Sequence, residues 1–176
     1  MAIISLSATM QVEVPETPIG ASAFMLYVRG EDKDKITCME DVVENGYSIV
    51  PVAPNGGIYK ALVEWNEANG SPLESIPTQD GLTTAEKLQA LADGQYDVFI
   101  NTNNCNNLET AQEMGLDVVE VSEPIQVNKT IVLIKKGETD FCNEVNAALQ
   151  QLQEDGTLKE LSEKWYGYDL ADLLKE

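Results

Sequence analysis

The sequence predicts an α/β fold with a mostly parallel sheet, and three observations carry that expectation. Short apolar, β-branched runs alternate with helical patterns through residues 23–121, glycine closes one helix after another, and two like segments bracket the whole block. Strands alternating with helices imply parallel neighbours joined by crossovers that cover both sheet faces.

The run at 23–28, Ala-Phe-Met-Leu-Tyr-Val, reads as a buried strand ended by Arg29 and Gly30. Residues 36–45 form a weak helix closed by Gly46, and 48–52 a strand. Residues 58–69 form a helix with Ala61, Leu62 and Trp65 on one side, stopped by Gly70. A further strand is expected over 73–78. The helix from Thr83 to Gly94 carries its own caps: Thr83 can accept from the amide of Glu86, whose carboxylate can reach back, and Gly94 suits the left-handed C-terminal position. A strand over 96–100, a helix over 108–114 ended by Gly115, and a strand over 118–121 complete the block.

An internal echo frames it. Val12-Glu-Val-Pro-Glu-Thr-Pro18, the strand to Val28 and then Arg29-Gly-Glu31 recur, with a one-residue gap, as Val119-Glu-Val-Ser-Glu-Pro124, residues 130–134 and Lys136-Gly-Glu138. Two like strands around an α/β block describe a chain that leaves one body, builds a second and returns beside its exit path. The segments are therefore expected to be paired hinge strands. Beyond them Phe141, Val145, Ala148, Leu149 and Leu152 fall at helical spacing up to Asp155-Gly156. Leu158, Leu161 and Trp165 form a second apolar stripe. These helices have no strands of their own and need another body to pack against.

Composition narrows the function. Hydrophobic residues make up 43% and charged residues 23%, an ordinary globular balance. No apolar run approaches the roughly 20 residues of a membrane span. Asp and Glu number 30 against 11 Lys and Arg, a net charge of -19, which repels phosphate backbones and anionic lipid and argues against nucleic acid as a partner. The absence of histidine removes Ser-His-Asp and Cys-His catalysis and His-ligated zinc. Cys38, Cys105 and Cys142 have no CxxC spacing. They read as small buried hydrophobes, with Cys105 the exception in an asparagine-rich loop; an exported protein could pair two of them. The start, Met1 to Ala8, lacks a basic segment and a long enough apolar stretch to be a secretory signal.

Lys135-Lys-Gly137, Asn146-Ala-Ala-Leu149, Glu154-Asp-Gly-Thr-Leu158 and Lys164-Trp-Tyr-Gly167 occur in that order. The series resembles the tail of bacterial extracellular solute-binding proteins, family 3, the periplasmic amino-acid-binding type. The L-x-x-G-x-x-D-A pattern of that family is similar to Leu91-Ala-Asp-Gly-Gln-Tyr-Asp97-Val, and residues 35–57 resemble the entry into its second lobe. The resemblance covers about residues 18–169 and implies a periplasmic-binding-protein-like (type II) lobe with two hinge strands and C-terminal helices. On that reading 1–29 is a remnant of the first lobe plus a hinge strand, 30–128 is the second α/β lobe, and 129–176 is the return strand and terminal helices. The chain is then expected to be half of a clamshell.

Ligands of such folds meet the C-terminal ends of strands, where loops and helix N-termini converge. Asn55, Gly56 and Gly57 open a helix whose amides could hold a carboxylate, or they form a plain turn. Asn101, Thr102 and Asn103 follow a strand and offer donors and acceptors to a polar ligand, or serve only as turn residues. The resemblance implies an aspartate at the position of Thr102 for the ligand's ammonium and a first-lobe arginine in a T-x-x-R pattern. Ser7 and Thr9 stand as a remnant of that pattern with Val12 in place of the arginine, so both charge anchors are absent. The sole arginine is Arg29.

The expected function is a non-catalytic lobe of an ABC-type uptake system, binding a small polar, amino-acid-like solute without cofactor or metal. It would work outside the cytoplasm with a membrane permease, its signal lying outside this sequence, and with a missing first lobe or a dimer partner. The alternative is a sensory or protein-interaction module of the same fold with no ligand of its own. An enzyme resembling these binders, such as a dehydratase, would need a cleft carboxylate of raised pKa, and no converging acids are visible.

Overall fold

The computed structural model describes residues 12–121, 124–166, 169 and 172. The chain forms two compact units: Ala23–Gln126, and the described parts of Met1–Ser22 and Val127–Glu176. It crosses between them at Ser22 and again at Gln126, on strands β2 (Gly20–Arg29) and β5 (Gln126–Thr130), which pair with each other.

In the unit Ala23–Gln126, β2 is the central strand. Strand β3 (Phe99–Thr102) lies antiparallel on one side, with Tyr27 opposite Phe99 and Phe24 opposite Thr102. Strand β4 (Val118–Glu120) lies antiparallel on the other, with Val28 opposite Val119. Leu26, Val28, Ile36, Val42, Leu62, Val98 and Ile100 are closed off from solvent in one core. Helices α1 (Met39–Glu44), α2 (Gly57–Ala68), α3 (Thr84–Ala92) and α4 (Asn107–Glu113) complete the unit. The capping box of α3 forms as the sequence predicts, Thr83 accepting from the Glu86 amide while Glu86 accepts from Thr83.

The expected mostly parallel sheet requires correction. Every registered strand pair among the described residues is antiparallel, and the parallel pairings there are the isolated bridges Ile49 to Val98 and Val52 to Thr78. The strands predicted at 48–52 and 73–78 shrink to those bridges because Pro51, Pro72 and Pro77 lack the amide that a ladder needs. The side chain of Asn66 instead satisfies both the amide and the carbonyl of Leu73, which packs against the core without being a strand residue. The first helix begins at Met39 rather than 36.

In the other unit β1 (Val12–Glu13) pairs antiparallel with β6 (Ile134–Lys135). The expected return strand over 130–134 is split, β5 ending at Thr130 and β6 starting at Ile134. Pro15 and Pro18 interrupt the segment between β1 and β2, so its partner has no continuous row of donors to follow. The two echoing segments do pair with each other, β1 with β6 and β2 with β4 and β5, though not between equivalent residues: Val12 faces Lys135, and Val119 faces Val28. Glu13 Oε1 accepts from the Gly137 amide at 2.8 Å and the Thr139 hydroxyl at 3.1 Å, at the start of α5 (Thr139–Glu154). Thr17 donates its amide to Asn146 Oδ1 on that helix, and α6 (Thr157–Tyr166) follows.

Candidate functional site

The asparagine loop grows out of β3. Asn101 Nδ2 donates to Asn107 Oδ1 at 2.7 Å, and Asn107 Nδ2 donates to the Thr102 carbonyl at 2.8 Å. Asn107 is only 2% exposed, so these bonds satisfy a buried amide that would otherwise be costly. Asn103 grips β2 twice: its amide donates to the Ala23 carbonyl at 3.0 Å, and its Oδ1 accepts from the Ala23 amide at 3.1 Å. Asn101 and Asn103 are therefore structural side chains. Of the three predicted loop residues, Thr102 is the one whose side chain has no hydrogen-bond partner among the described residues.

The helix-opening loop is built differently. Asn55 carries the left-handed backbone, φ +61°, which asparagine tolerates better than most residues, and Gly56 is the extended N-cap with φ -75°. Gly57 lies close under a ring: a Cβ there would lie 3.3 Å from Phe24 Cζ, and the ring would have to give by a few tenths of an ångström. No side chain caps α2, so its first amides point out of the helix unclaimed by a cap.

Phe24 therefore touches both loops, opposite Thr102 across the β2–β3 ladder and against Gly57. The sequence reading missed its role by assigning it to a buried strand. The available signal was the period of two along β2: Phe24 shares the half-buried face with Gly20 and Ser22, while Ala21, Ala23 and Met25 point inward. Ser7 and Thr9 lie outside the described residues.

Arg29 is a clamp. Its Nη1 donates to the carbonyls of Leu91, near the end of α3, and Tyr96, its Nε to Asp32 at 2.8 Å, and its Nη2 to Asp97 at 3.1 Å. Burial opposes its charge, but the bonds to Asp97 and Asp32 outweigh that and raise its pKa. The bond from Lys35, with Arg29 behind it, lowers the Asp32 pKa against burial. Burial likewise opposes ionisation of Asp97, and its bonds from Ser48 and Arg29 overcome that. Burial pushes Glu120 up, only partly offset by the bond it accepts from Tyr27. All three cysteines are free: Cys142 buried, Cys105 exposed in the asparagine loop, and Cys38 half-buried with its thiol pKa raised by burial.

No cluster of metal-ligating side chains and no helix able to span a membrane occurs among the described residues. What the site offers is helix amides for an anionic group, one free hydroxyl and an aromatic wall.

A mixed helix-and-sheet fold of the periplasmic-binding-protein kind is the class that these elements define. The model of bacterial extracellular solute-binding proteins, family 3, matches residues 70–168, more than half of the chain, and the protein belongs to that family. It is 30% identical over 145 residues to the L-cystine-binding protein TcyK of Bacillus subtilis strain 168, covering 80% of this chain and 50% of TcyK. It is also 30% identical over 108 residues to the L-cystine-binding protein TcyJ of Escherichia coli K12, covering 61% of this chain and 39% of TcyJ. Among solved structures, the probable amino-acid ABC transporter extracellular-binding protein ytmK of Bacillus subtilis superposes with a TM-score of 0.71 at 25% identity, over 89% of this chain and 65% of that one. The chain thus spans about half the length of the curated relatives it matches.

Proposed function

We propose that the chain is a ligand-binding lobe from the solute-binding component of an ABC-type uptake system, and that its solute is an amino acid or close relative, L-cystine being the first to test. The convergence of Gly57 and Thr102 on Phe24 carries the reading. A ligand carboxylate would accept from the first amides of α2, the Thr102 hydroxyl would hold a polar group, and the Phe24 ring would cover an apolar stem. The curated relatives named above are L-cystine-binding proteins.

The protein carries no reaction on this reading: Asp32 and Asp97 are engaged with Arg29, and the sequence has no histidine. The unit Ala23–Gln126 is the second lobe. The whole protein works outside the cytoplasm, hands solute to a membrane permease, and closes on it with a first lobe supplied by further polypeptide or a partner.

A thermal-shift panel of L-cystine, other amino acids, small peptides and polyamines tests this. Ligand at about 100 times its Kd adds roughly 2.7 kcal/mol, several degrees in Tm. Thr102→Val should weaken binding about 3–10-fold with the Tm of the free protein little changed. A flat response across the panel would overturn the reading.

A further inference from the structure

Asn-Gly occurs three times in the chain, at Asn45-Gly46, Asn55-Gly56 and Asn69-Gly70, and all three asparagines are exposed. The pair is chemically fragile, because glycine has no Cβ to keep its backbone nitrogen away from the preceding carboxamide. The structure treats the three differently. Asn45 and Asn69 are helix C-caps whose side chains are held back on the preceding turn: Asn45 Nδ2 donates to the Asp41 carbonyl at 2.9 Å, and Asn69 Nδ2 to the Trp65 carbonyl at 2.8 Å. Asn55 lies outside the helices. It stands one residue before the N-cap of α2 with φ +61°, and its carboxamide has no hydrogen-bond partner among the described residues. The glycine nitrogens do not discriminate, since Gly46, Gly56 and Gly70 donate to the Val43, Ala53 and Glu67 carbonyls at 3.2, 3.2 and 3.5 Å, all at or beyond the long end of the ordinary range. The difference lies in the asparagine: ring closure at Asn55 gives up one hydrogen bond fewer than at the other two.

We propose that Asn55-Gly56 is a spontaneous deamidation site, and that the carboxylate it creates turns off ligand binding at α2. The Gly56 backbone nitrogen attacks Asn55 Cγ and loses its proton to solvent hydroxide. The Cγ–Nδ2 bond breaks, and Nδ2 leaves as ammonia with a proton from water. The five-membered imide then adds water at either carbonyl and opens to aspartate or isoaspartate. The sum is asparagine plus water going to aspartate plus ammonia, with no change of oxidation state. The consequence for binding rests on the solute-binding reading, in which a ligand carboxylate takes the first amides of α2. A carboxylate fixed at position 55 competes for the same positive helix end and repels an incoming anion. Isoaspartate also adds one methylene to the main chain at the left-handed residue that turns the loop. Nothing in the sequence of steps reverses it, so the modified fraction grows with the age of the molecule.

The test incubates the full chain in mildly alkaline buffer made with heavy-oxygen water and follows its intact mass. Each Asn-Gly peptide is then mapped by electron-transfer fragmentation, which separates aspartate from isoaspartate. Asn55 should be converted about 2–10-fold faster than Asn45 or Asn69, the factor that one net hydrogen bond is worth. Asn55→Gln, which would need a six-membered ring, should remove the label at that position while Asn45 and Asn69 keep theirs. Equal rates at the three positions, or label confined to Asn45 and Asn69, would overturn the site. Anion exchange isolates the singly modified chain, and a thermal-shift titration with the panel amino acid of largest effect, L-cystine first, compares it with the fresh chain and with Asn55→Asp. Both altered forms should bind at least about 10-fold more weakly, with circular dichroism unchanged, and parental affinity in both would overturn the loss of binding. A fresh chain that responds to nothing in the panel removes the solute reading and the consequence for binding with it, while the three conversion rates still decide the site.

Discussion

The unit Ala23–Gln126 and the unit that carries α5 and α6 treat their apolar residues differently. The first encloses Leu26, Val28, Ile36, Leu62 and Ile100 with almost no exposure; the second leaves Phe141, Leu161 and Trp165 outside while using Cys142 and Leu149 for its inward contacts. Hydrophobic burial scales with area, roughly 25 cal/mol per Å², so most of the chain's own stability sits in the first unit. Polar bookends reinforce it: Arg29 ties β2 to the end of α3 and to Asp97, and Asn103 ties β3 to Ala23. In the second unit the corresponding ties are Glu13 to Gly137 and Thr17 to Asn146. A unit with its core closed can present a site, and one with its helices open can present a surface.

The largest effect that would break this contrast is in the core. Leu62→Ala should cost about 3 kcal/mol in urea unfolding, whereas Trp165→Ala should stay within about 0.5 kcal/mol; similar losses from both would erase the distinction. Next is Arg29→Met, which removes the side-chain donor from the Tyr96 carbonyl, leaves the Leu91 carbonyl with the Gly94 amide alone, and strips Asp32 and Asp97 of a cation; it should cost about 2–3 kcal/mol at pH 7. Asp32 and Asp97 are held below the ordinary carboxylate pKa by their bonds. Their contribution is present above the unfolded pKa, about 4, and disappears as pH falls through the folded values. The penalty of Arg29→Met should therefore shrink below about pH 4, seen in denaturant melts across pH 3–7.

The smallest change refines the picture at the β2–β4 edge. The Glu120 pKa is raised by burial, so its stabilising share is present below the unfolded pKa and is lost as pH rises through the folded one. Glu120→Gln keeps an acceptor for Tyr27 and should make the protein more stable than the parent by up to about 1 kcal/mol at pH 7–8, with no gain near pH 4. A variant less stable at pH 8 would show that the charge is solvated.

Local chemistry was legible from residues. The box of Thr83 and Glu86 needs only three residues of spacing, and α3 begins where it says. The 3.6-residue stripes of α5 and α6 were equally plain, because periodicity is local. Strand direction was not: apolar runs look alike whichever way their partners run, and the prolines at 51, 72 and 77 reduced two expected strands to bridges. At the candidate site Thr102 and Gly57 were readable as loop residues, but which asparagines are engaged depended on partners up to 80 residues away.

The amino-acid sequence alone determined most of the helices, the family and the excess of negative charge, since these follow from composition and from spacings of a few residues. Only the tertiary structure decided that Phe24 joins two loops, that Arg29 is a clamp, and that the terminal helices keep apolar faces outward. Those are matters of contact between distant segments, and a linear pattern shows that a stripe is apolar without showing what covers it.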